Sequence, residues 1–349
     1  MNNNDFKLNL AGLATAIGSM PHTDPAKACE VVREYLPDIP VWPQLPNRSF
    51  LENMYVQYSE GLPGIVLSEE RIHIDRTVDL SDQMEALYAA YIENDLDRYA
   101  VSREYALGLH EFLNMKLDSA RAVKGQVTGP VSFGLTVTDQ DRRPTLYDET
   151  LADAIAFHLR LKAAWMEREL AKLSPNTIVF LDEPYLASLG SAFVAIDNEI
   201  VIRLTNEALG GIRGLKGMHC CGNTDWSVLM ATEIDILNFD AYTHGEALVL
   251  YPSAVREFLD RGGILAWGIV PSDETEVAGV TASGLIDRLS ELMDYLTGKG
   301  VDREALAKQC LITPSCGAGS LSEGAAESVL KLTEEVSSQF RNSKRLGGG

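Results

Sequence analysis

One histidine and two cysteines of this chain have the types and spacing of a metal site. His219 and Cys221 stand two residues apart at the end of an apolar run, and Cys316 follows another such run much later in the chain. Residues i and i+2 of a strand project to the same face, so the first two side chains can share one ion. Three protein ligands with an open fourth position are the pattern of a catalytic zinc centre. The chain therefore predicts such a centre, provided that the fold returns Cys316 to the other two.

The elements that must position these ligands form an alternating series. Eight short apolar runs predict strands, at residues 14–19, 40–44, 122–128, 177–182, 215–220, 234–239, 264–269 and 310–314. Amphipathic stretches lie between most of them and predict helices, at residues 150–173, 197–209, 253–261, 283–298 and 322–340. Eight β/α units in a chain of 349 residues predict a TIM (β/α)8 barrel.

The long connection between the second and third predicted strands, residues 47–120, exceeds a simple crossover. Its apolar periodicity predicts helices at 80–92 and 102–114. We interpret it as a helical insertion over the barrel mouth rather than a separate domain, so that residues 1–341 form one domain. The glycine-rich end, residues 342–349, is predicted to be a disordered tail.

The composition is that of a globular protein, with 46% hydrophobic and 23% charged residues. The formal net charge of −20 argues against a nucleic-acid partner, because that binding needs a basic surface. The five cysteines are odd in number, so we expect reduced thiols rather than a disulfide framework. No apolar run reaches the roughly 20 residues that span a bilayer, and the N-terminus lacks the pattern of a secretory signal. We therefore expect a cytoplasmic protein without a membrane partner.

Polar side chains collect where the predicted strands end. TIM-barrel enzymes build their active sites at this carboxyl-terminal face of the barrel. The series therefore indicates one active site assembled from distant parts of the chain. The polar residues that follow the first, fourth, fifth, sixth and eighth strands are Ser19, Asp182, His219, Asp240 and Cys316.

The motifs around these residues carry a resemblance to a known family. In chain order they read Ile17-Gly18-Ser19, Gly125-Gln126-Val127-Thr128-Gly129-Pro130, Asp182-Glu183-Pro184, His219-x-Cys221 and Pro314-Ser315-Cys316-Gly317. As an ordered set they resemble the cobalamin-independent methionine synthase family, in the form that has the catalytic barrel alone. That family shares a superfamily with uroporphyrinogen decarboxylase and the coenzyme M methyltransferases. The resemblance extends over nearly the whole chain.

The resemblance implies a set of metal ligands. It assigns Zn²⁺ to His219, Cys221 and Cys316, the same three residues that the spacing singles out. The family adds an acidic ligand after the sixth strand. Asp240 is the expected residue because it directly follows that strand, and Glu246 is its competitor.

The resemblance also implies how an amino-acid substrate is held. Asp182 is expected to bind the ammonium of homocysteine, with Glu183 of the same motif as a further substrate contact. The backbone of Ile17-Gly18-Ser19 is expected to face the substrate carboxylate. The family has another substrate-binding glutamate after its second strand, and Glu52 and Glu60 are the nearest glutamates here. With His219 and Cys221, Asp182 completes the expected catalytic set.

These residues predict a zinc-dependent thiol S-methyltransferase. Zinc lowers the pKa of an acceptor thiol, and the thiolate then attacks an electrophilic methyl group. The expected reaction converts homocysteine to methionine, with a methyl-folate or a methylated corrinoid as donor. The absence of a folate-associated barrel from the sequence favours the corrinoid, carried by a partner protein.

Three other functions stay open. The run His219-Cys220-Cys221-Gly222-Asn223 is closer to the coenzyme M methyltransferase version, which favours coenzyme M or another small thiol as acceptor. Decarboxylation of a porphyrinogen needs no metal, but it needs arginines for many carboxylates. A non-catalytic accessory protein that binds a corrinoid or a metal would hold zinc without alkylating any thiol.

Overall fold

Two sheets organise the computed structural model, which describes residues 9–68, 71–189 and 195–343. Seven strands form a parallel sheet in the order β1-β10-β9-β8-β7-β6-β4, and three form a small sheet in the order β2-β3-β5. The strands are β1 Leu13–Ala14, β2 Ile65–Leu67, β3 Ile72–Ile74, β4 Val123–Thr128, β5 Thr138–Asp139, β6 Thr177–Asp182, β7 Leu215–Cys220, β8 Ile236–Phe239, β9 Ile264–Val270 and β10 Cys310–Pro314.

Helices connect the parallel strands and cover their outer face. Every residue of β4, β6, β8 and β10 is buried, as expected for a parallel sheet whose faces are both covered. The helices are α1 Pro25–Tyr35, α2 Ser81–Glu93, α3 Leu107–Phe112, α4 Pro130–Thr136, α5 Glu149–Leu170, α6 Asn198–Leu209, α7 Trp226–Met230, α8 Ala241–Leu248, α9 Pro252–Asp260, α10 Glu274–Gly279, α11 Ala282–Gly298, α12 Arg303–Lys308 and α13 Glu323–Asn342.

The predicted second strand, at residues 40–44, is not a continuous strand. Val41 makes an isolated parallel bridge to Lys124, and Gln44 makes another to Ser19. The two edge strands of the seven-stranded sheet are β1 and β4. The segment therefore contacts one edge strand, β4, and the chain just beyond the other. Its prolines lack the N–H groups that a regular ladder requires, which explains the interruption.

The insertion at residues 47–120 is not purely helical, contrary to our expectation. It contributes β2 and β3, which pair antiparallel, and β3 pairs parallel with β5 from outside the insertion. Helix α2 agrees with its prediction, whereas the predicted helix at 102–114 is reduced to the six residues of α3. Buried side chains of α3, such as Leu109 and Phe112, belong to the same apolar core as the large sheet.

The last helix reaches one residue into the predicted tail. Helix α13 ends at Asn342 and Ser343 forms its C-cap, so these two residues belong to the folded chain. The rest of the predicted tail, residues 344–349, lies outside the described residues. No helix in the described part of the chain has both the length and the apolar character needed to cross a membrane.

Candidate active site

The three predicted soft ligands meet at the carboxyl ends of the strands. His219 lies in β7, Cys221 directly follows that strand, and Cys316 follows β10. In a flat sheet β7 and β10 would stand about 14 Å apart, because β8 and β9 lie between them. The imidazole nitrogen and the two sulfurs nevertheless all lie within 4.8 Å of one another. The sheet must therefore curl strongly to bring the ends of these strands together.

One imidazole nitrogen of His219 forms a hydrogen bond, and the other forms none. Its Nδ1 is bonded to Oδ1 of Asn238, which is its register partner on β8. The amide nitrogen of Asn238 donates to Ala266 O at 2.9 Å and to Thr313 Oγ1 at 2.7 Å, so its oxygen must be the acceptor for His219. Nδ1 of His219 therefore carries the proton, and the buried Nε2, which has no hydrogen-bond partner, presents a lone pair.

The three cysteines of this region lie in different environments. The contact between the two thiols lowers the pKa of Cys221, and the same contact raises the pKa of Cys316. Cys220 is fully buried, and burial raises the pKa of its thiol to about 12. Cys220 is thus a packing residue, as its position on the opposite face of β7 predicts.

This set of donor atoms fits a zinc ion. Two half-buried sulfurs, one of them favoured as the thiolate, and an unprotonated imidazole nitrogen are ligands that zinc prefers. The hydrogen bond from His219 to Asn238 is the kind of contact that orients histidine ligands in zinc proteins.

Neither candidate for the acidic fourth ligand belongs to this group of three. Asp240 forms the N-cap of α8, where its Oδ1 accepts a hydrogen bond from Thr243 N at 2.7 Å. It still lies near enough to Cys221 for that thiolate to contribute to its raised pKa, whose main cause is burial. Glu246 is an exposed residue of α8. The ligand role of Asp240 stays a prediction, and its position beside the strand end favours it over Glu246.

A cavity of about 420 Å³ opens above the three ligands, and we call it the metal-site pocket. It contains two carboxylates that each have an unpartnered buried oxygen, Oδ1 of Asp182 and Oε2 of Glu52. Burial raises the pKa of Asp182 to about 6, against the effect of the nearby His219 and Lys124. Among its lining residues are Ile17, Ser19, Glu52, Asp182, His219, Cys221 and Cys316.

The predicted carboxylate-binding turn lies at the edge of this pocket. Ile17 and Ser19 line the pocket, whereas Gly18 lies behind them. Gly18 has a φ of +139°, and a Cβ there would stand 2.2 Å from Nε2 of Gln126, so only glycine fits. Nζ of the buried Lys124 donates to Ile17 O at 2.8 Å and holds the turn from below.

Glu183 does not face the pocket, although we expected it to contact the substrate. Its side chain is fully buried, and its two oxygens accept hydrogen bonds from the backbone N–H groups of Val131 at 2.9 Å and Ser132 at 2.7 Å. The carboxylate thus satisfies the first turn of α4 and joins the ends of β4 and β6. Its neighbour Asp182 points the other way because successive side chains of a strand alternate.

Two residues of the site did not emerge from the motifs. Asn238 and Lys124 both interrupt apolar strands with a polar side chain, and both are fully buried. A polar residue inside a buried strand needs a hydrogen-bond partner, which is the signal that points to them. Glu60, the other glutamate near the second strand, instead accepts from Ser102 N within the insertion.

Solved structures of known proteins share this fold. A B12-independent methionine synthase from Shewanella sp. W3-18-1, in complex with selenomethionine, has a TM-score of 0.57 and 16% identity over 95% of this chain and 98% of that one. A candidate vitamin-B12-independent methionine synthase from Listeria monocytogenes has a TM-score of 0.55 and 14% identity, over 91% and 86% of the two chains. A methyltransferase from Methanosarcina mazei has a TM-score of 0.50 and 12% identity, over 90% and 86%.

These comparisons establish a similarity of fold. The chain has a mixed α/β fold similar to that of methionine synthases and a methyltransferase, which confirms the resemblance inferred from the motifs. No family model matches the chain, and no curated protein matches it. At 12–16% identity the similarity shows the fold alone, so the activity must be argued from the residues of the site.

Proposed function

We propose that this protein is a zinc-dependent thiol S-methyltransferase on a TIM-type barrel, and that it converts homocysteine to methionine. The observation that carries the proposal is the combination of two features in one cavity. The ligand atoms of His219, Cys221 and Cys316 lie within 4.8 Å of one another, and the metal-site pocket above them holds the unpartnered carboxylate oxygen of Asp182. A soft metal site beside an anionic pocket suits a thiol that carries an ammonium group.

The metal would be held by His219, Cys221 and Cys316, with Asp240 as the proposed acidic ligand. Zinc bound there supplies Lewis acidity, which lowers the pKa of an acceptor thiol. The protein itself orients the ligands. Asn238 holds the proton of His219 on Nδ1, so that Nε2 faces the two sulfurs as a base.

The acceptor would be positioned by its amino-acid end. A buried carboxylate oxygen without a partner is unfavourable by about 1–3 kcal/mol, and an ammonium group relieves this by donating hydrogen bonds. The free oxygens of Asp182 and Glu52 both belong to the metal-site pocket and are proposed to receive the ammonium of homocysteine. The turn at Ile17 and Ser19 is proposed to face the substrate carboxylate.

The transfer itself exchanges one bond for another. A bond forms between the homocysteine sulfur and the methyl carbon, while the bond from that carbon to the donor breaks and its electron pair stays on the donor. The thiol proton leaves to solvent. The donor is proposed to be a methylated corrinoid, free or on a partner protein, or a methyl-folate.

A second candidate is methylation of another small thiol. The run His219-Cys220-Cys221-Gly222-Asn223, which resembles the coenzyme M methyltransferases, favours it. Porphyrinogen decarboxylation is disfavoured, because none of the described residues that line the metal-site pocket is an arginine or a lysine. A substrate with many carboxylates would meet the buried carboxylate of Asp182 in this pocket.

The test is methyl transfer by the purified, zinc-loaded protein. Homocysteine is supplied with methylcobalamin or with methyl-tetrahydrofolate, and methionine is measured by mass spectrometry. Coenzyme M replaces homocysteine in a parallel series. Methionine formation with either donor supports the main proposal, and faster methylation of coenzyme M supports the second candidate. A protein that holds zinc but methylates no thiol with any donor would be an accessory metal-binding protein, and the proposal would be wrong.

A further inference from the structure

A second cavity, of about 490 Å³, lies beside the metal-site pocket. The two cavities share one wall, the segment 50–56. Glu52 and Met54 line the metal-site pocket, Tyr55 lines the second cavity, and Asn53 lines both. The two cavities therefore adjoin at Asn53.

The far wall of the second cavity comes from the small three-stranded sheet. Arg71 directly precedes β3, and Arg142 lies in the turn that follows β5, the strand paired with β3. Nη2 of Arg71 stands 3.4 Å from Gln140 O in that same turn, which brings the two arginines to one edge of the sheet. We call this space the arginine cavity, and its defining residues are Phe50, Asn53, Tyr55, Arg71, Thr138 and Arg142.

The two neighbouring cavities differ in the charged residues that line them. The arginine cavity has two arginines and no acidic residue among its described lining residues, whereas the metal-site pocket has Asp182 and Glu52 and no basic residue. Within the described residues, neither Arg71 nor Arg142 forms an ion pair with a carboxylate. Two such cations are notable in a chain whose net charge is −20. Two guanidinium groups without a carboxylate partner in one cavity favour an anionic ligand.

Arg142 also has a backbone conformation that does not favour arginine. Its φ is 66°, in the left-handed region where glycine or asparagine is usual. Hydrogen bonds from Asp141 N and Arg143 N to Oδ1 of Asp139 hold the turn in this form.

Two aromatic side chains, Phe50 and Tyr55, also line the arginine cavity. Phe50 is 46% exposed, and the ring of Tyr55 lies 6.4 Å from that of Tyr185, which is 42% exposed. Aromatic rings beside cations form a surface on which a flat, conjugated group can pack while its anionic part is bound.

We propose that the arginine cavity binds the anionic arm of the methyl donor, with a carboxylate or phosphate on Arg71 and Arg142 and the donor's conjugated ring system against Phe50 and Tyr55. The inference rests on the proposed methyltransferase function and adds a donor subsite to it. Both donor classes share this chemistry, because a folate carries glutamate carboxylates and a cobalamin carries a nucleotide phosphodiester. The methyl group then enters the metal-site pocket past Asn53.

The experiment measures donor binding by calorimetry on the zinc-loaded protein without a thiol, so that no turnover is needed. Four probes identify the anionic arm: methyl-tetrahydrofolate triglutamate, a methyl-tetrahydropterin without glutamate, methylcobalamin, and methylcobinamide, which lacks the nucleotide. Tighter binding of the triglutamate than of the methyl-tetrahydropterin indicates a folate carboxylate. Tighter binding of methylcobalamin than of methylcobinamide indicates the corrinoid phosphate.

The variants are Arg71→Gln and Arg142→Gly, with Arg143→Ala as the matched control. Arg142→Gly removes the guanidinium and also relieves the left-handed φ, so it is expected to fold at least as well as the parent. Arg143 is in the same turn but does not line the cavity. We expect the Kd of the anionic probe to rise at least tenfold in each cavity variant and less than twofold in Arg143→Ala. The probes without the anionic arm should bind all variants alike.

Unchanged binding of every probe in Arg71→Gln and Arg142→Gly would overturn the inference, as would the absence of binding by all four probes to the parent. A different result would contradict the proposed function, namely a parent protein that binds a donor but methylates no thiol. If the parent is active and Arg142→Gly keeps the same donor KM, the function stands and the donor subsite is wrong.

Discussion

His219 and Asn238 are register partners on neighbouring strands, and their hydrogen bond fixes which imidazole nitrogen faces the two cysteines. The amide of Asn238 is itself held by Ala266 O and Thr313 Oγ1, so it has one orientation in which its oxygen accepts from His219. The chain thereby leaves Nε2 of His219 free beside the two sulfurs through a residue that is not itself a candidate metal ligand.

Replacement of Asn238 should therefore weaken zinc binding. Asn238→Ala removes the acceptor for Nδ1–H, and we expect zinc affinity to fall roughly 10- to 100-fold, while Asn238→Asp keeps an acceptor and much of the affinity. The measurement is zinc competition with a chelating dye. Thr313→Val removes one of the two contacts that orient the same amide, so we expect a smaller loss of zinc affinity than in Asn238→Ala. Equal zinc affinity in folded Asn238→Ala and in the parent would contradict the assignment.

Loss of either cysteine ligand should remove the metal. Cys221→Ser and Cys316→Ser each delete a soft ligand from a set of three, so we expect about one zinc per chain in the parent and little in either variant. Metal content is measured by mass spectrometry after purification. Cys220→Ala is the matched control, because its buried sulfur lies outside the group of ligands, and it should retain zinc. Full zinc content in both serine variants would eliminate the proposed centre.

Asp182 should distinguish acceptors with and without an amino group. Asp182→Asn removes the negative charge proposed to hold the ammonium, and a charge-assisted hydrogen bond of about 1.5–3 kcal/mol corresponds to a loss of roughly 10- to 100-fold in kcat/KM for homocysteine. For 4-mercaptobutyrate, which lacks the amino group, we expect a change below about threefold. Steady-state kinetics with both thiols provides the comparison, and equal losses for the two thiols would assign Asp182 another role.

Glu183 should make stability depend on pH. Burial raises its pKa from 4.5 to about 7, although hydrogen bonds from Ser132 and Val131 act in the opposite direction. Between these two values the unfolded chain has lost a proton that the folded protein keeps. The contribution of Glu183 to stability should therefore fall as pH rises from 4.5 to 7, by at most about 3 kcal/mol, and change no further above that range.

Urea unfolding at pH 5 and pH 7.5 measures this change. In Glu183→Gln the titrating group is absent, so the difference in the free energy of unfolding between the two pH values should be smaller than in the parent. Groups distant from Glu183 titrate alike in both proteins, so their effects cancel in the comparison. The same pH dependence in parent and variant would show that Glu183 does not titrate in this range.

Most of the sheet was predictable because its strands are short apolar runs separated by amphipathic helices. Seven of the eight predicted strands take part in the parallel sheet, and helices such as α5, α6 and α11 agree with their predictions closely. The apolar residues of segment 40–44 predict a strand, but its prolines restrict it to isolated bridges. The strands β2 and β3 have three residues each, too few for any periodicity to appear.

The amino-acid sequence by itself determined the chemical character of the site: a histidine and two cysteines with metal-ligand spacing, and an acidic pair at the end of a strand. Only the tertiary structure decided which of these side chains meet. The curl of the sheet brings Cys316 to His219 and Cys221, and strand alternation sends Asp182 into the pocket while Glu183 supports α4. The reason is physical, because ligand types and strand periodicity are local properties, whereas sheet curvature is the sum of twist and packing over the whole chain.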